Sequence, residues 1–387
     1  MFHRALGRPT QSFFLFGPRG SGKSTWLRAN FSKSEAQFLD LLDLKTQRRY
    51  QRNPESLQDE LMALPKSIRW VIIDEIQKIP SLLDTVHSMS LTSKLKFGLS
   101  GSSTRKLRRG GANLLAGRAV EYHLFPLSAG ELGKTFRLSD VLNWGTLPRI
   151  FQLKRESERI DFLETYAHLY VKEEIQEEQV VRRIDPFRAF LEVSAQMDGK
   201  ILNFAKIARE AGVDTKTTMS YFKILEDTLL GFTLPAYHRS VRKRQRLAPK
   251  FYFFDLGVRR ALEGRLEEIL HPGTSEWGRA FESWIINEIL KENGYSQARY
   301  KLSYLNADAD SEIDLILEKG GKPKWILEIK STDRVTSENC AALARFLPDF
   351  PGCRALCLSN DLISKNISGV SAHHWRKGLD QIFQESR

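Results

Sequence analysis

A chain of 387 residues exceeds what one hydrophobic core supports, so two to four domains are expected. Its 41% hydrophobic and 27% charged content is that of a soluble globular protein, and no apolar run approaches the roughly 20 residues of a membrane-spanning helix. The net charge of +12 favours a polyanionic partner, nucleic acid before an anionic membrane, with plain solubility as the alternative. The opening MFHRALGRPTQSFFLFG carries a four-residue apolar core, too short for a signal peptide. Cys340, Cys353 and Cys357 lack metal-type spacing and read as small apolar residues, so a reduced, cytoplasmic chain is expected.

In chain order, QSFFLFGPRGSGKSTWLRANF is an apolar strand, a glycine-rich turn and a helix. Its turn meets the full P-loop pattern, with Gly17, Pro18, Arg19, Gly20, Ser21, Gly22, Lys23, Ser24 and Thr25 as the candidate nucleotide-binding set. Glycines let backbone N–H groups converge on a β-phosphate at a helix N-terminus. Lys23 would reach the β- and γ-phosphates of ATP, and the Ser24 hydroxyl would ligate Mg²⁺. The next apolar run, IRWVIIDEIQKIP, reads as a strand buried on both faces that ends in Asp74 and Glu75. Asp74 would hold Mg²⁺ through water, and Glu75 would orient the attacking water.

These motifs resemble the AAA+ ATPases. By that resemblance Ser100, at the end of LKFGLS, senses the γ-phosphate. Arg118, in LLAGRAVEYHLF, is an arginine finger; such a group is worth roughly 10³–10⁵ in rate and serves a neighbouring subunit, so a homo-oligomer is implied. The plain alternative for Arg118 is a surface arginine beside a turn glycine.

Residues from about Leu138 to Met197 carry helical periodicity, with an acidic tail in YVKEEIQEEQV. FAKIAREA ends at Gly212, and Asp214 is placed to cap a second helix bearing Lys216, Thr217 and Thr218. Strands FTLPAY and KFYFFD follow, joined by a basic loop, which together predict a winged helix. Arg239, Arg242, Lys243, Arg244 and Arg246 would form a wing suited to phosphate contacts, with Lys216 and Thr217 on the second helix. The alternative is a module that links domains or binds protein.

After a linker at EEILHPGTSE come the helix WGRAFESWIINEILKEN, the strand RYKLSYLN and the hairpin SEIDLILEKGGKPKWILEIKST. A loop over Lys319–Pro323 would set Lys324 against Glu318, Ile326 against Ile316, Glu328 against Asp314 and Lys330 against Glu312. Glu312, Asp314, Glu328 and Lys330 would then share one face, with Ile313, Leu315, Leu317, Trp325, Leu327 and Ile329 as the core face. A Lys330–Glu312 pair suits a solvated surface, but Asp314 opposite Glu328 does not, because facing like charges destabilise a ladder. A divalent cation would remove that repulsion. Glu282 on the preceding helix would supply a third acid, with Glu288 as its rival.

This arrangement resembles the PD-(D/E)xK restriction-endonuclease-like nucleases. By that resemblance Asp314 and Glu328 bind the metal, Lys330 positions water or stabilises the phosphorane, and Glu282 assists metal-dependent phosphodiester hydrolysis. Nearly the whole chain resembles prokaryotic predicted AAA+ ATPases that join a P-loop domain and a winged helix to such a C-terminal domain. The motifs in order are FGPRGSGKST, VIIDEIQKIP, LSGSS, LAGR, YFKILEDTLL, PKFYFFDLGV, GRAFESWIINEIL and LEIKST. The expectation is an α/β multidomain chain: a P-loop ATPase domain over 1–136, a helical subdomain over 137–197, a winged helix over 198–262 and a nuclease-like domain over 263–387. It would use ATP and Mg²⁺ and act on DNA more readily than RNA. The competing expectation is an ATP-dependent switch or scaffold whose nuclease-like domain only binds.

Overall fold

Four consecutive apolar residues, Phe13–Phe16, form β1, and each is fully buried. A strand covered on both faces needs such a run, and each side chain withdrawn from water contributes about 1.5–3 kcal/mol. The protein is seen here as a computed structural model that describes residues 2–103, 117–170, 184–238, 240–244, 247–308 and 311–384. β1 belongs to a five-stranded parallel sheet with β2 (Ala36–Asp40), β3 (Trp70–Asp74), β4 (Lys96–Gly101) and β5 (Val120–His123), in the order β2-β3-β4-β1-β5. Helix α1 (Lys23–Asn30) follows β1, α2 (Leu44–Arg52) and α3 (Ser56–Met62) follow β2, and α4 (Leu82–Thr92) joins β3 to β4. Leu15 lies beside Ser100 on one side and Tyr122 on the other, so β1 sits between β4 and β5. The tips of β1, β3 and β4 therefore share one edge, where open α/β sheets bind ligands.

Helices α5 (Ala129–Leu132), α6 (Leu138–Trp144) and α7 (Glu156–Thr165) lead into a π-helical turn at Tyr166–Tyr170, and α8 (Ile184–Gln196) resumes the chain. Most of the acidic tail expected to be helical lies outside the described residues. Asn203 and Asp214 cap α9 (Phe204–Glu210) and α10 (Thr215–Asp227) by accepting the N–H groups of Lys206 and Thr217. β6 (Gly231–Leu234) and β7 (Lys250–Phe253) pair antiparallel. Between them the expected wing contains a helical turn, α11 (Val241–Arg244); Arg239 and Arg246 lie outside the described residues. Helix α12 (Leu256–Leu262) closes this part.

The C-terminal part opens with α13 (Ser275–Tyr295), capped by Thr274. A six-stranded mixed sheet follows, in order β12-β13-β11-β10-β9-β8. Its strands are β8 (Lys301–Asp308), β9 (Ser311–Lys319), β10 (Lys322–Ile329), β11 (Arg354–Ser359), β12 (Lys365–Ile367) and β13 (Val370–His374). Helix α14 (Ser337–Phe346) crosses from β10 to the parallel β11, and α15 (Trp375–Gln384) ends the chain.

The β9–β10 hairpin corrects part of the expected register. Its turn is only Gly320-Gly321, at φ 63° and 76°, the left-handed geometry that two-residue hairpins require. Pro323, not Lys324, stands opposite Glu318, because a register shift between Pro323 and Trp325 absorbs the extra residue. Beyond that shift Ile326 meets Ile316 and Leu327 meets Leu315 as expected, so the ladder runs on toward Asp314 and Glu328. The carboxylate face is not open surface either. Ile316 and Ile326 are fully buried in a core with Cys340 and Leu343 of α14, while Leu315, Leu317, Trp325 and Leu327 pack with α13 and α15. Ile313, expected with the latter group, belongs to the α14 core instead.

The expected domain borders are not clean. Leu127, Ala129 and Leu132 share a core with α13, as do Leu234 and Tyr252. Tyr304 N–H also donates to Pro235 O at 3.0 Å, so the segment after β6 is stitched to β8. No helix among the described residues is long and apolar enough to cross a membrane.

Candidate functional site

The glycine-rich turn leads directly into α1, with Gly22 as its left-handed N-cap. Gly17 leaves no room for a side chain, since a Cβ there would lie 2.3 Å from Leu124 O. Lys23 is buried, and its Nζ donates to Gly17 O at 2.9 Å and Pro18 O at 3.3 Å. Ser21 is fully buried with an unpartnered Oγ, Ser24 is half-buried, and Thr25 is exposed. Asp74 at the tip of β3 is buried, and Glu75 follows it at φ 59°, a strained position for a residue with a Cβ. That twist turns the Glu75 carboxylate back to 3.9 Å from Lys23 Nζ. The arrangement unites Lys23, Asp74, Glu75 and Ser100 around one sheet edge.

Ser100 is fully buried, donates to Asp74 Oδ1 and accepts Glu75 N–H at 3.2 Å. It orients the two acids. Arg118 is exposed just ahead of β5.

Three neighbours of this site were not legible in the motifs. Gln77 Nε2 donates to Glu75 Oε2 and to Ser102 Oγ (3.0 Å), fixing the second carboxylate oxygen. Tyr166 OH donates to Arg19 O at 2.7 Å, so the π-helical turn braces the P-loop. Arg4 donates to Ser21 O at 2.6 Å from behind, and also to Glu131 Oε1 (2.9 Å) and to Tyr295 OH (3.1 Å) at the end of α13. A cleft of about 500 Å³ runs beside α1 from Arg4 and Gly22 past Trp26 to Pro148 and Gln152.

A second cluster forms where β7, α13 and the hairpin meet. Asp314 and Glu328 are both buried, and Asp314 Oδ2 accepts Ile329 N–H at 2.7 Å. Lys330 Nζ pairs with Glu328 Oε1 at 2.5 Å, correcting the expected Lys330–Glu312 pair. Glu312 instead pairs with Lys250, which also lies 3.6 Å from Glu282 Oε1. Lys250, the first residue of the expected strand KFYFFD, is buried at the head of β7, where strand alternation places Tyr252 on the same face. Tyr252 OH donates to Glu282 Oε1 at 3.3 Å. That pairing of a lysine and a tyrosine at alternate positions was the sequence signal for this contact.

Desolvation and the charge of Asp314 push Glu282 up to about 7 and Glu328 up to about 8. Desolvation also raises Asp314. Burial opposes the charge on Lys250, but Glu282, Glu312 and Asp314 outweigh it and hold the ammonium protonated. Glu328 Oε2 is buried without a hydrogen-bond partner. Asp314 and Glu328 thus fit a hard cation, although no group of three or more His, Cys, Asp or Glu side chains is arranged to hold a metal among the described residues. Glu288, the alternative third acid, is excluded: it is buried elsewhere, accepting Ala129 N–H and pairing with Lys291 at 2.8 Å.

The expected nucleic-acid contacts scatter. Lys216, Arg242 and Lys243 are exposed. Thr217 is engaged in the cap, its hydroxyl donating to Asp214 at 2.7 Å. Arg244 turns inward to Glu318 (3.1 Å) and stacks on Tyr237, so it is a structural cross-link between α11 and β9.

Residues 9–133 match the family described as an AAA domain. Residues 135–268 match a domain of unknown function, DUF8612, and residues 277–376 another, DUF4143. The N-terminal third is an AAA-type P-loop ATPase domain, joined to a C-terminal domain. An uncharacterized protein of Mycobacterium tuberculosis is 26% identical over 375 residues, covering 93% of this chain and 81% of that protein, and one of Mycobacterium bovis matches equally. An uncharacterized protein of Haemophilus influenzae is 23% identical over 325 residues, covering 80% and 75%. The structure of Can2 from Sulfobacillus thermosulfidooxidans in complex with cyclic tetra-adenylate covers 97% of this chain and all of that one at 9% identity. Its TM-score of 0.23 is too low to carry an argument.

Proposed function

We propose that this protein binds and hydrolyses ATP and acts on nucleic acid, DNA before RNA, through a metal-dependent nuclease-like C-terminal domain. The observation that carries the ATPase reading is the convergence of Lys23, Asp74 and Glu75 on one sheet edge, with Glu75 3.9 Å from Lys23. The P-loop, Lys23 and Ser24 would hold Mg²⁺-ATP with Asp74, and the ion would neutralise charge on the phosphates. Gln77 and Ser100 hold the acids in place, and Glu75 accepts a proton from the attacking water. The cleft beside α1 has the apolar Trp26 and Pro148 that a base can pack on. Arg118, exposed at the head of the edge strand β5, is presented to a second subunit.

The C-terminal reading rests on a helix, three antiparallel strands, a crossover helix and a parallel strand, with Asp314, Glu328 and Lys330 on the hairpin. Two buried acids side by side, with a lysine paired to one of them, suit metal-assisted phosphodiester hydrolysis. The winged-helix reading of 198–262 rests on the capped pair α9–α10 and the β6–β7 ribbon, with the exposed Lys216, Arg242 and Lys243 as cations for phosphate contact.

One observation favours the second reading, a switch whose nuclease-like domain binds without cutting. Lys250 already compensates Glu282 and Glu312. A cleavage panel of duplex DNA, single-stranded DNA and RNA with Mg²⁺ or Mn²⁺, with and without ATP, separates the two. Cleavage by the wild type that Glu328→Ala abolishes supports the nuclease. Inert wild type on every substrate, with ATP turnover intact, supports the switch.

A further inference from the structure

Three parts of the chain meet around a cavity of about 350 Å³ that neither site above uses. The turn after α8 supplies Asp198 and Lys200, α12 and its C-cap supply Arg259, Arg260 and Glu263, and the N-terminal part of α13 supplies Arg279. Most of the acids are already engaged. Asp198 accepts Phe253 N–H and Ser283 Oγ, both at 2.7 Å, and Glu276 holds Arg265 at 2.5 Å. Glu263 lies 3.6 Å from Arg259.

Lys200 and Arg260 have no carboxylate partner among the described residues. Arg260 is only 2% exposed, and its Nη2 donates to the backbone carbonyls of Arg265 and Glu268. The Nε of Arg260 and the Nε of Arg259 are both buried without a hydrogen-bond partner. A buried guanidinium with unpaired donors is costly unless something else accepts them. Burial first, then the neighbouring Arg259, lowers Arg260 to about 10, the opposite of what an ion pair does. The positive end of α13 adds to the same field.

We propose that this cavity binds a small phosphorylated anion, with Lys200, Arg259, Arg260 and Arg279 as its cationic contacts. The guanidinium fork matches phosphate oxygens pairwise. Leu270 is the one apolar side chain among the described lining residues, and none of them is aromatic, so the site suits inorganic phosphate or pyrophosphate better than a nucleoside. Its occupant touches α13 through Arg279, three residues from Glu282, and reaches the adjacent Ser283 through Asp198, and so can bear on the acid cluster.

Calorimetric titration with pyrophosphate and with phosphate, in a full-length Lys23→Ala background that silences the P-loop, tests this. The expected result is saturable binding that Arg260→Met and Lys200→Ala each weaken at least tenfold. ATP turnover in the Lys23-containing protein stays unchanged by the same substitutions. Equal affinity in both variants overturns the proposal, as does a Lys23→Ala protein that binds neither anion. Binding confined to a 5′-phosphorylated oligonucleotide overturns it too, moving the site to nucleic acid. Should Arg260→Met fail to fold, Lys200→Ala combined with Arg279→Ala decides.

Discussion

Lys250 Nζ lies 3.6 Å from Glu282 Oε1, joining the head of β7 to α13 inside a cluster of acids. This buried ammonium offsets the negative charge of the cluster in which Asp314 and Glu328 would hold a divalent ion, so the two compete electrostatically through neighbouring carboxylates. Breaking a buried pair leaves uncompensated charge and costs about 3 kcal/mol or more. Lys250→Ala therefore lowers the melting temperature by several degrees in chelator, and Mg²⁺ restores part of the loss. Melts of wild type and variant with EDTA and with Mg²⁺ check this; an equal response to Mg²⁺ in both proteins would sink the competition.

The acid cluster also sets a pH dependence. Glu282 and Glu328 have folded-state values of about 7 and about 8, above the ordinary glutamate value of 4.5. A carboxyl raised on folding contributes stability that is present below 4.5 and is lost as pH rises through its folded value. Metal-free protein thus becomes less stable between about pH 5 and pH 8 through these two groups. On the proposed nuclease reading, Mg²⁺ would have to displace these protons, so its binding would tighten over the upper part of that window. Titrating Mg²⁺ at pH 6 and at pH 8.5 reads this directly, and a flat affinity would contradict it.

At the nucleotide site Lys23, Glu75 and Gln77 have distinct roles. Lys23→Ala should abolish ATP hydrolysis, because Lys23 is the buried cation of the P-loop. Glu75→Gln keeps the side chain's shape and Gln77 contact but loses the base, so ATP binds and turnover falls by about 10²-fold or more. Gln77→Ala frees Glu75 from its second anchor and lowers kcat by a smaller factor with KM near wild type. Steady-state kinetics and nucleotide-binding titrations distinguish the three; continued turnover in Lys23→Ala would remove the ATPase assignment.

Gly145 tests the join between the helical middle and α12. It sits at φ 74° and ψ −162°, and a Cβ there would lie 2.1 Å from Asp255 Oδ1. Asp255 cannot yield, since it accepts Thr146 N–H at 2.6 Å and caps α12 through Val258 N–H. Gly145→Ala is expected to destabilise by about 3 kcal/mol through backbone strain and the lost cap. Chemical denaturation measures it, and a change below about 1 kcal/mol would show that the region relaxes.

Local pattern was enough for much of this molecule. The P-loop and the Asp74–Glu75 strand tip were legible because a buried parallel strand and a glycine-rich turn each leave an unbroken signature over a few residues. The caps Asn203 and Asp214 belong to the same short range, although only Asp214 stood out. In the hairpin, alternation fixed which residues approach the Asp314–Glu328 end, because Ile326 still meets Ile316. It failed at the turn, where Gly320-Gly321 closes a two-residue loop and the chain absorbs the offset near Lys324.

Partner choice among charges was decided only by tertiary structure. The basic stretch before β7 reads as one wing, yet the fold sends Arg244 inward to Glu318, and Lys250 at the head of β7 turns inward to Glu282 and Glu312. Arg4 carries no motif, yet it ties the P-loop backbone to Tyr295 across 291 residues of chain. Charge in a sequence reports how many ions a protein has. Which of them meet depends on desolvation and on contacts between segments distant in sequence, and those exist only once the chain has packed.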